Sequence, residues 1–278
     1  MASVSRHVSR PGVGPIRRYT NARNRRSVWH DLFEVAADSI VKREVIAVIL
    51  YGSLTRDDWM ASSDVDLAVV VRDDADPLQM RRMIKNLWAD RSISVITPST
   101  FTCASLIREA ERHPTFAAHL VDEGIVIIET HAFANLEKVL IAAATADGPV
   151  IEKELRERAN ELYRLTDLRR FNRQFVPMLA RLYALARSIV IARLLQQGVS
   201  EYSWRQIFDT LATHRPDLAL DLQRLRDLRP YYDHAHGRRR LADEDQDIDP
   251  EFVKAAIRSI KLLTRTDEDA RATAKAPD

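Results

Sequence analysis

The chain has 278 residues, 46% apolar and 29% charged, which allows two ordinary domains or one large one with a sizeable core. Its single cysteine, Cys103, excludes an internal disulfide framework, and no continuous apolar stretch reaches the roughly 18 residues of a membrane span. The chain is therefore expected to be cytoplasmic, without a membrane partner.

The net charge of +2 conceals an asymmetry. Residues 1–30 carry Arg6, Arg10, Arg17, Arg18, Arg23, Arg25 and Arg26 and no acid, which leaves −5 on the remainder. This segment lacks the apolar core of a secretory signal, and the pair Arg17-Arg18 is not followed by the apolar stretch of a twin-arginine signal. Its composition does imitate an organellar transit peptide. We read residues 1–26 as a basic, disordered tail, with contact to phosphates or nucleic acid as the alternative.

Residues 27–42 place Trp29, Leu32, Phe33, Val35, Ala36 and Ile40 at helical spacing. Val45 to Tyr51 is a short β-branched run typical of a buried strand, ended by Gly52. Ser63 to Val71 reads as the next strand. Asp73 to Pro77 is a turn into a helix carrying Met80, Ile84, Leu87 and Trp88. A third strand is expected at 92–96, ended by Thr97-Pro98, with Ser99 or Thr100 capping a helix to about Arg112 and a second helical piece through Leu120. Cys103 falls in this region as a small core residue. Gly124 to Ile128 closes the pattern as a fourth strand.

Beyond residue 130 the strand signal ends. Helices are expected over 132–145, 151–174, 176–197, 203–211, 218–228 and 250–263, which together make a bundle. The fold class is thus α+β: a small mixed-sheet domain over 27–131, a C-terminal α-helical bundle over 132–265, and a frayed end over 266–278.

Chemistry concentrates in the stretch Gly-Ser-Leu-Thr-Arg-Asp-Asp-Trp-Met-Ala-Ser-Ser-Asp-Val-Asp-Leu, residues 52–67. Side chains alternate along a strand, so Asp64 and Asp66 share one face while Val65, Leu67 and Val69 enter the core on the other. Two neighbouring carboxylates repel unless a cation joins them. Mg2+ suits that role, taking hard oxygens from one or two carboxylates together with substrate phosphates. Gly52 permits a sharp turn and a close backbone approach to a ligand. Ser53 opens a short helix, so its hydroxyl and the nearby N–H groups can face a phosphate, with Arg56 one turn further on.

The glycine–serine pair, the ten-residue spacing and the Ser-Asp-x-Asp-Leu segment resemble the signature of the nucleotidyltransferase superfamily that includes DNA polymerase beta. The resemblance is nearest to its minimal and kanamycin-nucleotidyltransferase-like members, and it extends more weakly over about 45–130. It implies an NTP substrate held by Gly52, Ser53 and Arg56, and Mg2+ held by Asp64 and Asp66. It further implies transfer of an NMP, most simply AMP, to a hydroxyl with release of pyrophosphate. The acceptor could be a small molecule such as an antibiotic, a protein side chain as in toxin–antitoxin systems, or an RNA end. A homodimer is left open.

Three departures stand out. Asp57 follows Arg56 where the family often has glycine. Ser92, with Ser94 beside it, occupies the usual place of a third carboxylate that serves as base. Asp90 is the residue assigned to that catalytic role, with Glu152 or Glu154 as alternatives. The bundle carries no motif for a particular acceptor. The alternative functional readings are a catalytically degenerate relative that binds nucleotide or a partner, and a nucleic-acid-binding module.

Other constellations weigh less. Arg169, Arg170 and Arg173 would form any anion-binding patch in the bundle, since Arg181, Arg187 and Arg193 scatter round their helix. The acidic run Asp243 to Glu251 has Ile248 where a calcium loop needs glycine, and it reads as a loop capping the last helix. Arg229 to His234 has the spacing of the ribonuclease motif of HEPN domains, but Pro230 lies inside it. There we expect a helix ending at Leu228, with Tyr231 and Tyr232 packed on the bundle.

Overall fold

A computed structural model describes residues 14–18, 32, 35, 38–56, 59, 63–89, 96–145, 148–166, 175–242 and 248–265. The chain divides into two compact units that part between Ala146 and Asp147.

In chain order the first unit contains β1 (Arg17–Arg18), α1 (Ser39–Glu44), β2 (Val45–Tyr51), a 3-10 turn (Gly52–Thr55), β3 (Val65–Val71) and α2 (Pro77–Ala89). It continues with β4 (Ile96–Thr102), α3 (Cys103–Arg112), α4 (Pro114–Glu123), β5 (Ile125–Glu129) and α5 (Phe133–Ala144). The strands form one five-stranded mixed sheet in the order β1-β5-β2-β3-β4. β2 is antiparallel to β3 and β5, whereas β4 runs parallel to β3 and β1 parallel to β5.

Strand alternation gives the sheet two buried faces. Val48, Leu50, Val65, Leu67, Val69 and Val71 pack with Met80, Ile84 and Trp88 of α2 and with Leu32 and Val35. Ala47, Ile49, Ala68 and Val70 are buried on the other face, the side of α3 and α4. Asp66 has the parity of Ala68 and Val70 and so lies on this second face.

Three local outcomes differ from the sequence reading. Residues 14–18, expected within the disordered tail, pack on the first unit: Ile16 is 2% exposed, its N–H donates to Glu137 Oε1 (2.8 Å), and Arg17–Arg18 joins the sheet, with Arg17 paired with Ile125. Thr97-Pro98 lies inside β4 instead of ending a strand, with Pro98 opposite Leu67. β4 is an edge strand, so the missing proline N–H breaks no interior ladder. The next helix is capped by Thr102, whose hydroxyl accepts from Ser105 N–H (3.2 Å), instead of by Ser99 or Thr100. Cys103 is consequently the first helical residue and half-buried; burial and the nearby Asp73 push its thiol pKa up.

The second unit comprises α6 (Gly148–Leu165), α7 (Phe175–Gln196), α8 (Ile207–His214), a 3-10 turn (Pro216–Leu218), α9 (Ala219–Arg226), α10 (Arg229–Ala235) and α11 (Pro250–Thr264). α7 is buried on most of its circumference and packs against α6, α8, α10 and α11. By length and composition alone it would pass as a membrane span, against the expectation that no stretch would, but 61% of that stretch is buried. Burial all round is what makes a core helix apolar all round. The helix expected to end at Leu228 stops at Arg226, and the difference is that a further helix, α10, follows it, with Pro230 in the first turn, where its missing N–H costs nothing. Asp249 caps α11 by accepting from Glu251 N–H (2.8 Å).

Candidate nucleotide and metal site

The site grows from the β2–turn–β3 segment. β2 ends in Tyr51, which pairs across the ladder with Asp66 near the start of β3. Between them the chain turns at Gly52, whose φ of 79° lies in the left-handed region that a side chain disfavours. A Cβ on Gly52 would overlap Asp66 Oδ2 and sit 3.2 Å from Asp66 Cγ. The glycine is thus required twice, by its dihedral and by the carboxylate against its Cα. The turn is closed by Thr55 Oγ1 donating to Gly52 O (2.7 Å) and by Arg56 N–H donating to Ser53 O (3.1 Å). Leu54 anchors it in the core at 3% exposure.

Asp64 precedes β3 and is half-buried, as is Asp66. Thr97 Oγ1 of β4 donates to Asp64 Oδ2 (3.1 Å), and Thr97 stands opposite Asp66 in the parallel register. The two carboxylates are therefore gathered at one end of the two central strands, beside the turn. Among the described residues no group of three or more His, Cys, Asp and Glu is placed to hold a metal. Asp90, Ser92 and Ser94 lie outside the described residues, as does Asp57.

Arg56 is engaged by protein. Its Nη1 donates to both carboxylate oxygens of Glu123, at 2.6 and 2.7 Å. Glu123 is the last residue of α4 and is 5% exposed. His119 Nε2, one helical turn back, lies 2.7 Å from Glu123 Oε2, and its ring stands edge-on to Tyr51 with centroids 5.6 Å apart. Arg17 Nη2 donates to the Glu123 carbonyl (2.5 Å). Burial pushes the Glu123 pKa up, but His119 and Arg56 together overcome it and hold the carboxyl below its ordinary value.

Sequence reasoning missed Glu123, His119 and Thr97. The i,i+4 spacing of His119 and Glu123 is a signal for that pair, whereas Thr97-Pro98 and Glu123-Gly124 enter the sequence reading only as strand boundaries and as part of the wider resemblance over about 45–130. The alternative bases are in side-chain networks of the helical unit. Glu154 is fully buried and accepts from Arg158 (3.2 Å), and Glu152 accepts from Gln196 (2.7 Å) and Arg193 (3.3 Å). The bundle patch Arg169, Arg170 and Arg173 lies outside the described residues. Arg229 donates to Asp233 (2.8 Å) and lies over Trp204, 4.2 Å from the ring centroid, so in this fold it packs the helices.

Residues 37–132 match the family described as Polymerase beta, Nucleotidyltransferase. The comparison with curated proteins found no match. Among solved structures, the chain is similar to the spectinomycin adenyltransferase AAD(9) of an Enterococcus, crystallised with ATP and spectinomycin. Identity is 10% and the TM-score 0.50, over 85% of this chain and 96% of that one. It also matches a structure of the toxin–antitoxin MntA-HpeT mutant at 18% identity and TM-score 0.31, over 42% of this chain and 82% of that one. Residues 37–132 thus match a nucleotidyltransferase domain of the polymerase-beta family, and a helical C-terminal part follows it.

Proposed function

We propose that the chain transfers a nucleoside monophosphate, most simply AMP, from an NTP to a hydroxyl acceptor. The observation that carries this reading is Asp66 seated against the Cα of Gly52, within a polymerase-beta-type domain. That contact links the carboxylates to the turn whose N–H groups would meet a triphosphate. Gly52 and Ser53 hold the phosphates, with Arg56 beside them.

The donor set fits Mg2+: two hard carboxylates, Asp64 and Asp66, gathered beside the Gly52 turn. When bound, the ion would neutralise the charge carried by the phosphates in the transition state. The chain's own work is positioning. Thr97 orients Asp64, and the 3-10 turn that starts at the left-handed Gly52 would present backbone N–H groups. Asp90, in the role proposed for it, takes the acceptor proton. The acceptor oxygen bonds to the α-phosphorus as the bond to the bridging oxygen breaks, and pyrophosphate leaves.

The acceptor belongs to one of three classes: a small molecule such as an antibiotic, a protein side chain or an RNA end. ATP and spectinomycin make a natural first pair to try, because the similar adenyltransferase was crystallised with both. The test is incubation with labelled NTPs, Mg2+ and cell extract, read by which fraction takes up label. We expect transfer that disappears in Asp64→Ala and in Asp66→Ala. Mg2+–ATP binding without transfer to any fraction would favour the degenerate reading, and no binding at all would sink both.

A further inference from the structure

Glu123 is a costly residue for its place. It is a carboxylate at the negative end of a helix, where the macrodipole disfavours it, and it is 5% exposed. None of the chemistry above uses it. What its position does is bring three segments together. Its carboxylate takes both bonds from Arg56 Nη1 and meets His119 Nε2, while its carbonyl takes the Arg17 guanidinium of β1. Arg56 is the residue that closes the Gly52–Thr55 turn, through its own N–H to Ser53 O.

We propose that Glu123 is the positioning residue of the nucleotide turn: by holding the Arg56 side chain it sets the orientation of the backbone N–H groups from Ser53 to Arg56. The turn is four residues long, and its only other anchors described above are Leu54 in the core and the Thr55 hydroxyl on Gly52 O. Arg56 caps this short turn, so a buried carboxylate clamping the Arg56 side chain helps to pre-order the amides before any ligand arrives. Glu123 touches no phosphate in this scheme and acts through Arg56.

The role has a consequence in the free protein and another in the loaded one. The second rests on the nucleotide reading; the first does not. In Glu123→Gln the amide keeps the shape of the side chain but cannot offer two anionic oxygens to Arg56. Hydrogen exchange of the Ser53–Arg56 amides in the ligand-free, full-length chain should rise roughly tenfold, with the β2 and β3 amides unchanged. Nucleotide binding, measured by calorimetry with Mg2+ and a non-hydrolysable ATP analogue, should weaken by roughly tenfold. Any transferase activity should show the loss in KM, with kcat nearly unchanged. In an Arg56→Ala background the same Glu123→Gln change should add little, because the contact is already gone.

Unchanged exchange of the turn amides in Glu123→Gln overturns the proposal whatever the nucleotide does. So does an effect that is fully additive with Arg56→Ala, which would make Glu123 a general stabiliser. Ordered amides that loosen as expected in a protein that binds no nucleotide would leave Glu123 in its role and refute the nucleotide reading instead. If Glu123→Gln fails to fold, Arg56→Gln breaks the same contact from its more exposed side, at 16% against 6%, and the exchange measurement proceeds on it.

Discussion

Replacing Gly52 by alanine tests the contact on which the metal and nucleotide reading depends. At φ 79° a residue with a Cβ is strained by about 1–2 kcal/mol. The new methyl would also overlap Asp66 Oδ2 and stand 3.2 and 3.3 Å from Asp66 Cγ and Cβ, so the carboxylate must rotate away. An off-rotamer side chain adds about 0.5–1.5 kcal/mol. The total, about 1.5–3.5 kcal/mol, corresponds to a fall in Tm of roughly 10 °C for a unit of this size. The displaced carboxylate is the second effect: Mg2+-dependent binding of an ATP analogue should be lost more completely than stability. Differential scanning calorimetry gives the first quantity and titration calorimetry the second. A Gly52→Ala protein that melts and binds like the unmutated chain would refute the argument, and so would one that loses stability while keeping its affinity.

Thr97→Val removes the hydroxyl that orients Asp64 and should weaken Mg2+-dependent nucleotide binding about tenfold, whereas Thr97→Ser should restore it; equal behaviour of the two by calorimetry would refute the role. Arg193→Met should destabilise the helical unit by about 3 kcal/mol, read from chemical denaturation, because the buried guanidinium donates to Leu263 O (2.9 Å), Gln196 (2.7 Å), Glu152 (3.3 Å) and Arg265 O. Glu123 has a depressed folded pKa, so its ionisation stabilises the fold above its ordinary value of 4.5, and that stability is lost as pH falls below 4.5 through the lowered value. Denaturation midpoints followed downward from pH 7 should therefore drop less steeply below pH 4.5 in Glu123→Gln than in the unmutated chain.

Much of the fold can be read from the order of apolar runs. β-branched Val45–Tyr51 and Val65–Val71 cannot easily be anything but buried strands, and the left-handed Gly52 between them marks the turn. The helices of the second unit follow equally from their spacing. What was not legible depends on tertiary partners. Arg17-Arg18 has no strand pattern, and it joins the sheet because β5 offers an edge and Glu123 a carbonyl for its guanidinium. Thr97-Pro98 is ordinarily a strand stop, and only an edge position lets β4 run through it. In the site, Asp64 and Asp66 were visible because their spacing from Gly52 is local. The side chains that meet Asp64 and Arg56, namely Thr97 and Glu123, come from 33 and 67 residues away. Periodicity carries no information over such distances, and only the pairing of β3 with β4 and the packing of α4 bring them in.

The distribution of charge in the first unit narrows what each residue can contribute. Arg56, by sequence position alone, reads as a cation for the triphosphate. In the fold its Nη1 is engaged by a buried carboxylate that also faces His119, so its charge is largely balanced inside the protein. A nucleotide would then meet chiefly the N–H groups of the turn and a cation held by Asp64 and Asp66. This arrangement assigns different consequences to residues that look alike in the motif. Under the proposed function, losing Asp64 or Asp66 would remove the means of neutralising phosphate charge. Losing Arg56 or Glu123 would leave that means in place and loosen the turn proposed to meet the phosphates. The first defect should resist any increase in nucleotide concentration if transfer requires the ion, whereas the second should be overcome by it, since pre-ordering affects affinity before it affects the chemical step.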